Sequence, residues 1–210
     1  MNLEKELNEN QLEAVTSEYQ YNRIIAGAGS GKTRVLTYRI AFLLDQLKVK
    51  PWNILAITFT NKVATEMRTR ITKLVPGVEK DLIIRTFHSF AAYFLRIEIS
   101  ALGYPSSFTI FDEEDQLSLI KDIGSSLGYK KSDPIIKKAI NYISNNKMKN
   151  LYPEDIKIVY EKFEGEKDCL EIYSIYEEEK TKMFALDFDD LLLKTNFIFL
   201  NKSLIIAIVL

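Results

Sequence analysis

A glycine-rich octapeptide near the start of the chain carries the residue types that bind phosphate. Its glycines let the backbone curl so that N–H groups point inward at anionic oxygens. Lys32 supplies a positive charge for β- and γ-phosphates, and the Thr33 hydroxyl is suited to bind Mg²⁺. The pattern predicts a nucleotide phosphate-binding loop, and the alternative is a flexible glycine turn ahead of a helix. The eight residues are Ala26, Gly27, Ala28, Gly29, Ser30, Gly31, Lys32 and Thr33.

The segments on either side of this loop are a short apolar run and an amphipathic segment. Arg23–Ala26 is expected to be a strand, and Thr33–Leu47 has apolar residues at helical spacing. Strand, glycine turn and helix is the context that a phosphate loop requires, and it aims the positive end of the helix at the loop. The usual G-x4-G-K-[ST] pattern begins with glycine where this chain has Ala26, but its spacing is kept. We therefore treat the stretch as a variant of the loop.

Strand and helix signals alternate through the first hundred residues. Asn53–Phe59 holds a continuously apolar run, which is typical of a strand buried on both faces of a parallel sheet. A helix follows from Asn61, and Leu82–Arg85 has the pattern of a third strand. This order predicts an α/β fold with a parallel sheet.

The pattern changes near residues 103–107, where we place a domain boundary. The predicted domains are 1–104 and a mostly helical 105–195, followed by an atypical tail at 196–210. The helices expected in the second part are Asp112–Leu127, Asp133–Lys147, Pro153–Phe163 and Lys167–Phe184.

Three further stretches offer chemistry for a nucleotide or a nucleic acid. Gln11 has the amide groups that pair with the N6/N7 edge of adenine, although with Asn8 it also fits a helix capping box. Phe59 follows the second predicted strand, where it would either stack on a base or belong to the core. His88 follows the third strand and is either a phosphate or base contact or a buried core histidine.

The net charge of −1 hides an uneven distribution. Tyr21–Lys73 carries ten basic and two acidic residues, whereas the part from Pro105 onward carries 14 basic and 19 acidic residues. A basic segment that includes a phosphate loop favours a polyanionic partner as well as a nucleotide. Cys169 is the single cysteine, which excludes a disulfide framework. Met1–Glu18 carries five glutamates and no apolar leader, which argues against a signal peptide, and the apolar run Ser203–Leu210 is too short to span a membrane, so we expect a cytoplasmic protein.

Together these stretches resemble the UvrD/Rep/PcrA family of superfamily 1 DNA helicases. Leu7–Gln11 is similar to the Q motif of that family, Ala26–Thr33 to its motif I, Ala56–Met67 to its motif Ia and Thr86–Ser89 to its motif Ib. The resemblance covers residues 3–193. Its later part consists of stretches similar to the family's 1B subdomain, namely Phe108–Gln116, Ile143–Asn150 and Ala185–Leu191.

The resemblance implies a P-loop NTPase (RecA-like) parallel sheet, incomplete in this chain, with an inserted helical 1B subdomain. It implies ATP and Mg²⁺ as ligands, and ATP-driven 3′-to-5′ translocation on single-stranded DNA with unwinding of the duplex. By position, Gln11 would read adenine, Arg34 would lie near the nucleotide, and Lys32 and Thr33 would hold phosphates and Mg²⁺. Phe59 would stack on a base. The expected DNA contacts are Thr58, Phe59, Asn61, Lys62, Thr86 and His88.

ATP hydrolysis needs groups beyond a phosphate loop, namely an acidic residue for Mg²⁺, a residue that orients water, and an arginine. The resemblance implies that these belong to later motifs that we do not find in the 210 residues. We therefore expect a truncated helicase fragment without sustained turnover. The alternative is a non-hydrolysing nucleotide- or DNA-binding module. A small-molecule kinase would leave the stretches around Phe59 and His88 without a role.

A cluster of aspartates at Asp187, Asp189 and Asp190 could be mistaken for the missing acidic site. These residues stand where a helix is expected to begin, and carboxylates at that place complement the helix dipole. We interpret them as helix-start residues.

Overall fold

The computed structural model describes residues 2–27, 29–159, 166–202 and 208–209, which form a mixed α/β protein. Short 3₁₀ turns occur at Pro51–Asn53 and Ile99–Leu102. The strands are β1 (Leu55–Thr58), β2 (Ile83–Thr86), β3 (Thr109–Ile110), β4 (Ala185–Leu186) and β5 (Ile208–Val209). The helices are α1 (Leu3–Glu6), α2 (Glu9–Thr16), α3 (Lys32–Asp45), α4 (Asn61–Leu74), α5 (Phe87–Glu98), α6 (Glu113–Ser126), α7 (Pro134–Lys147), α8 (Pro153–Val159), α9 (Lys167–Lys182) and α10 (Phe188–Lys202).

The chain divides into two compact units. The first holds the residues up to Phe90 together with β5, and the second begins at Ala91. This division precedes residues 103–107 because the later part of α5, including Leu95, packs with Phe108 and Leu186 in a core of the second unit. The domains predicted from the sequence, 1–104 and 105–195, remain a prediction.

The sheet of the first unit has three parallel strands in the order β2–β1–β5. The central strand β1 is buried along its whole length, which confirms the prediction from its apolar run. Helices α3 and α4 contribute apolar stripes to the core that they share with the strands. The buried members of this core are Ile40, Leu44, Ile54, Ala56, Ala64, Met67, Ile71, Leu82 and Ile84.

One predicted strand does not form. Residues Arg23–Ala26 are irregular, and Ile25 is 84% exposed. A strand is stabilised by hydrogen bonds to a neighbouring strand, and none of the described strands pairs with this segment. The apolar run was therefore a sound signal of β-propensity, but the prediction of a strand is wrong.

Capping residues define where several helices begin, as the sequence suggested. Asn8 and Gln11 form a reciprocal capping box at α2, and the Thr60 hydroxyl accepts from the Val63 backbone at α4. Asp112 and Asp133 cap α6 and α7. Each side-chain oxygen satisfies a backbone N–H that has no partner within the helix.

The second unit is mostly helical. Helices α6, α7, α8 and α9 share one apolar core, while α5 and α10 contribute to another beside the parallel pair β3–β4. Helix α8 is described to Val159, so the rest of the predicted segment to Phe163 lies outside the described residues. Within the tail predicted at 196–210, α10 continues to Lys202 and β5 pairs with β1. No helix in the described ranges has the length and apolar character needed to cross a bilayer.

Candidate functional site

Two glycines of the glycine-rich loop adopt backbone angles that favour glycine. Gly29 and Gly31 both have positive φ angles, 76° and 90°, which side chains other than glycine rarely adopt. Gly31 is the N-cap of α3, so the loop leads directly into the positive end of a 14-residue helix. Ala28 lies outside the described residues.

Lys32 holds the loop in a defined shape. Its Nζ donates to the carbonyl oxygens of Ala26 and Gly27, at 2.9 and 2.6 Å. The Ser30 hydroxyl also donates to the Gly27 carbonyl, at 2.8 Å. The ammonium group therefore lies against the carbonyl oxygens at the start of the loop. Thr33 follows in the first turn of α3 and is partly exposed.

Gln11 lies against this loop although it is 19 residues away in sequence. Its Nε2 donates to the Ser30 carbonyl at 3.2 Å, while its Oε1 accepts from the Asn8 backbone at 3.3 Å. An amide carries two N–H donors and an oxygen with two lone pairs. Among the described residues the Ser30 carbonyl and the Asn8 backbone are the only partners of this amide, so one N–H and one lone pair remain, which is the set that the N7/N6 edge of adenine requires. The capping role and the base-reading role are therefore compatible in this one side chain.

Arg34 lies in the first turn of α3 and is bonded to Glu6 of the N-terminal helix. Its Nη2 donates to the Glu6 carboxylate at 2.9 Å and to the Glu6 carbonyl at 2.7 Å. The guanidinium carbon lies 5.1 Å from the centre of the Tyr38 ring. These contacts attach the Arg34 side chain to Glu6 and Tyr38, close in the chain to the glycine-rich loop.

The ends of β1 and β2 bring two aromatic residues together. Thr58 and Thr86 are opposite each other in parallel register, so the residues after them leave the sheet at the same edge. The rings of Phe59 and Phe87 lie 6.1 Å apart at 56°. Phe59 is 90% exposed, which excludes the interpretation that it belongs to the core. An exposed ring supported by a second ring is suited to stack on a planar base.

Polar residues surround this aromatic pair. Asn61 and Lys62 are exposed in the first turn of α4 and line an open depression with Thr65 and Glu66. By contrast, Thr58 is buried, and its hydroxyl donates to the Thr60 carbonyl at 3.0 Å. Its side chain therefore supports the turn that presents the exposed residues.

The end of β2 contributes the remaining predicted residues. His88 is exposed in the first turn of α5, so it is not the buried core histidine of the alternative interpretation. The Thr86 hydroxyl accepts from the Ser89 backbone at 3.2 Å, which caps the same turn. The structure thus brings the residues after both strands to one edge of the sheet.

Comparison with known proteins identifies the family of this chain. The family model for the UvrD/REP helicase N-terminal domain matches residues 7–207. The chain belongs to this family. The ATP-dependent DNA helicase PcrA of Staphylococcus epidermidis is 42% identical over 195 residues, which are 92% of this chain and 26% of that protein. PcrA of Staphylococcus aureus is 42% identical over 191 residues, or 90% of this chain and 26% of that protein. The chain therefore spans about a quarter of the length of these curated relatives.

A buried charge cluster lies in the second unit of this UvrD/REP family chain, and sequence reasoning missed its lysines. Lys147 and Lys180 are fully buried, and both form ion pairs with Glu177, Asp187 and Asp190. The Tyr176 hydroxyl also donates to Asp187, at 2.9 Å. Glu177, Asp187 and Asp190 are close enough to share a metal ion, but the two ammonium groups already neutralise much of their charge.

The same cluster confirms the interpretation of the aspartates as helix-start residues. The Asp187 carboxylate accepts from the Asp190 backbone at 3.0 Å, and the Asp190 carboxylate accepts from the Asp187 backbone at 3.2 Å. These reciprocal bonds cap α10, which begins at Phe188.

Burial and pairing act in opposite directions on the pKa values of the cluster. Burial would raise the pKa of Asp187, but Lys180 and Lys147 outweigh it and hold that pKa well below its usual value. Burial would likewise lower the pKa of Lys147, but the carboxylates of Asp190 and Asp187 raise it above its usual value. Asp187 and Lys147 are therefore charged at neutral pH.

The lysines had a signal in the sequence. Lys147 continues the apolar stripe of α7 after Ala139 and Ile143, and Lys180 continues that of α9 after Tyr176. A lysine on a buried stripe requires a partner of opposite charge.

Proposed function

We propose that this chain is the N-terminal part of an ATP-dependent DNA helicase, with a RecA-like P-loop NTPase domain that binds ATP and single-stranded DNA. The observation that carries the proposal is the shared edge of β1 and β2, where Phe59 is exposed beside Phe87. A phosphate loop alone is compatible with many activities. An exposed aromatic pair among basic and polar residues adds the surface that a sequence-tolerant DNA contact needs. The predicted insertion at 105–195 would be its helical 1B subdomain.

The nucleotide would be held by groups around the loop. The backbone N–H groups and Lys32 would bind the phosphates, and Thr33 would bind Mg²⁺. Bound Mg²⁺ would supply a compact positive charge for the phosphate oxygens. Gln11 would pair with the adenine edge through its remaining N–H and lone pair, and Arg34 would lie beside the base.

Single-stranded DNA would cross the edge formed by β1 and β2. Phe59 would stack on a base, while Asn61 and Lys62 would contact the phosphate backbone. Thr86 and His88 would line the same path, and Thr58 would support the turn beneath it. Stacking on an aromatic side chain does not depend on the identity of the base, as a motor that moves along any sequence requires.

Nucleotide binding is tested by titrating the full chain with ATP and Mg²⁺ and following the heat released. Lys32→Ala should weaken binding at least about tenfold, because it removes the cation nearest the phosphates. Lys73→Ala is the matched control, since Lys73 is exposed in the last turn of α4. Equal affinities of the two variants would refute the proposed phosphate site.

DNA binding is tested with a fluorescent oligonucleotide and anisotropy at fixed salt. Phe59→Ala should weaken binding about 5- to 150-fold, which corresponds to the loss of one stacked base. Trp52→Ala is the control, because Trp52 is also exposed but precedes β1 at its opposite end. The DNA site at this edge would be refuted if Phe59→Ala bound like the unchanged chain.

Helicase action belongs to the proposal for the longer protein, because this chain spans about a quarter of its relatives. Translocation in the 3′-to-5′ direction, unwinding and a cytoplasmic location likewise remain predictions. The unchanged chain, mixed with ATP and a forked duplex, tests how much of this action resides in its 210 residues. We expect binding of both ligands without strand separation.

A further inference from the structure

Glu6 connects the N-terminal helix to the helix that follows the phosphate loop. Its carboxylate accepts from Arg34 at 2.9 Å and from the Tyr38 hydroxyl at 3.0 Å. Its backbone carbonyl accepts from the same Arg34 nitrogen at 2.7 Å. One residue therefore receives three hydrogen bonds from two side chains of α3.

The backbone beside Glu6 is anchored to α3, although the Glu6 side chain is half-exposed. The next residue, Leu7, is buried in an apolar cluster with Val15, Val35 and Tyr38. Arg39 of α3 also donates to the Val15 carbonyl at 2.6 Å, which attaches the end of α2 to the same helix. The Glu6 carboxylate is thus held at a fixed place relative to α3.

This arrangement determines where the Arg34 guanidinium can lie. Both N–H groups of Nη2 are directed at Glu6, and the guanidinium carbon lies 5.1 Å from the Tyr38 ring centre. Among the described residues, Nε and Nη1 of Arg34 make no hydrogen bond. A planar cation with free donors is left beside the loop.

Gly31 lies close both to the Gln11 amide and to the start of the Arg34 side chain. A Cβ atom at Gly31 would lie 2.9 Å from the Gln11 amide nitrogen and 3.8 Å from the Arg34 Cβ. Gln11 and Arg34 therefore flank the same point. Lys32, in contrast, is directed at the carbonyl oxygens of Ala26 and Gly27.

We propose that Glu6 is a positioning residue for the nucleotide base: it holds Arg34 beside Gln11, so that the loop distinguishes a nucleotide from a bare triphosphate. This inference rests on the proposed function, because it assumes that phosphates bind at Lys32. It assigns Glu6 no contact with the nucleotide. Glu6 acts by positioning Arg34, so that it changes the binding of the base but not the binding of the phosphates.

The test compares ATP with inorganic tripolyphosphate as ligands of the full chain, both with Mg²⁺. Glu6→Ala should weaken ATP binding about two- to fivefold, the range for loss of a half-exposed charge pair, and leave tripolyphosphate binding unchanged. Glu6→Gln should recover part of the loss, because its amide oxygen still accepts from Arg34 and Tyr38. Glu4→Ala is the matched control, as it removes the same charge from an exposed place on α1.

A double-mutant cycle shows whether the effect passes through Arg34. Glu6→Ala combined with Arg34→Ala should bind ATP no more weakly than Arg34→Ala alone. A melting temperature within about 2 °C of the unchanged chain would show that Glu6→Ala leaves the fold intact.

The proposal is overturned if Glu6→Ala weakens ATP and tripolyphosphate equally, or if it binds like Glu4→Ala. Additive losses in the double mutant would also overturn it. Failure of the proposed phosphate site is a separate result, in which Lys32→Ala leaves tripolyphosphate binding unchanged. An unchanged chain that binds neither ligand would overturn both.

Discussion

Replacing Lys147 by methionine should destabilise the second unit strongly. Lys147 has 0% exposed side chain, and its Nζ lies 2.8 Å from Glu177, 2.6 Å from Asp187 and 2.8 Å from Asp190. Methionine fills a similar volume but supplies no charge. The substitution would leave three carboxylates facing Lys180 alone.

The magnitude follows from the loss of one partner in a buried ion cluster. Such a loss costs about 3–5 kcal/mol in free energy of unfolding, because the remaining charges stay buried without full compensation. Lys131→Met is the matched control, since the pair of Lys131 and Asp122 is 65% and 62% exposed. An exposed pair of this kind contributes less than about 1 kcal/mol.

Urea unfolding followed by two signals would locate the effect. Circular dichroism in the far ultraviolet reports all helices, whereas the fluorescence of Trp52 reports the first unit. We expect Lys147→Met to lower the midpoint of the dichroism transition far more than Lys131→Met does. The reasoning would be refuted by equal midpoints for the two variants, or by a more stable Lys147→Met.

Three further predictions concern the cluster and the loop. Because the pKa of Asp187 is depressed by its lysines, its contribution to stability is present above about pH 4 and lost as the pH falls below that value. Because the pKa of Lys147 is raised, its contribution to stability is complete below about pH 10 and is lost as the pH rises above that value. Asp187→Asn should reduce the fall in free energy of unfolding between neutral and acid pH, as measured by urea titration. An unchanged fall would contradict this. Gly31→Ala should cost about 1–2 kcal/mol of stability without nucleotide, because it places a Cβ at φ 90° and 2.9 Å from the Gln11 amide. Gly27→Ala, with no atom within 4 Å of the added Cβ, should cost much less, and equal melting temperatures would count against the strained loop. In a phosphate-release assay the full chain should show no sustained ATP hydrolysis, because the carboxylate cluster of the described residues is already paired with lysines. Turnover that Lys32→Ala abolishes would contradict that expectation.

Local signals predicted much of the fold. The caps at Asn8, Thr60 and Asp112 and the apolar run before Phe59 depend on neighbours within a few residues, so a single sequence reveals them. The parallel order of β1 and β2 followed from the helix between them.

What the sequence did not predict depends on distant partners. Arg23–Ala26 has the propensity of a strand, but whether it pairs is decided by residues elsewhere. Lys147 pairs with Asp187 across 40 residues, and no short motif records such a contact. The exposure of Phe59 was left open for the same reason, since an aromatic residue after a strand fits either a core or a surface until its neighbours are placed.

The contacts of Gln11 and Glu6 imply that the residues before Ser17 should be kept when the chain is shortened for expression. A shortened protein that begins at Ser17 would keep every residue of the glycine-rich pattern. It would lose the amide that supports the Ser30 carbonyl and the carboxylate that holds Arg34. It would also uncover the apolar face of α3 that Leu7 and Val15 cover. The residues that support the loop thus begin about twenty residues before the glycine-rich pattern itself. An affinity tag should therefore be added before α1, and α1 should be kept.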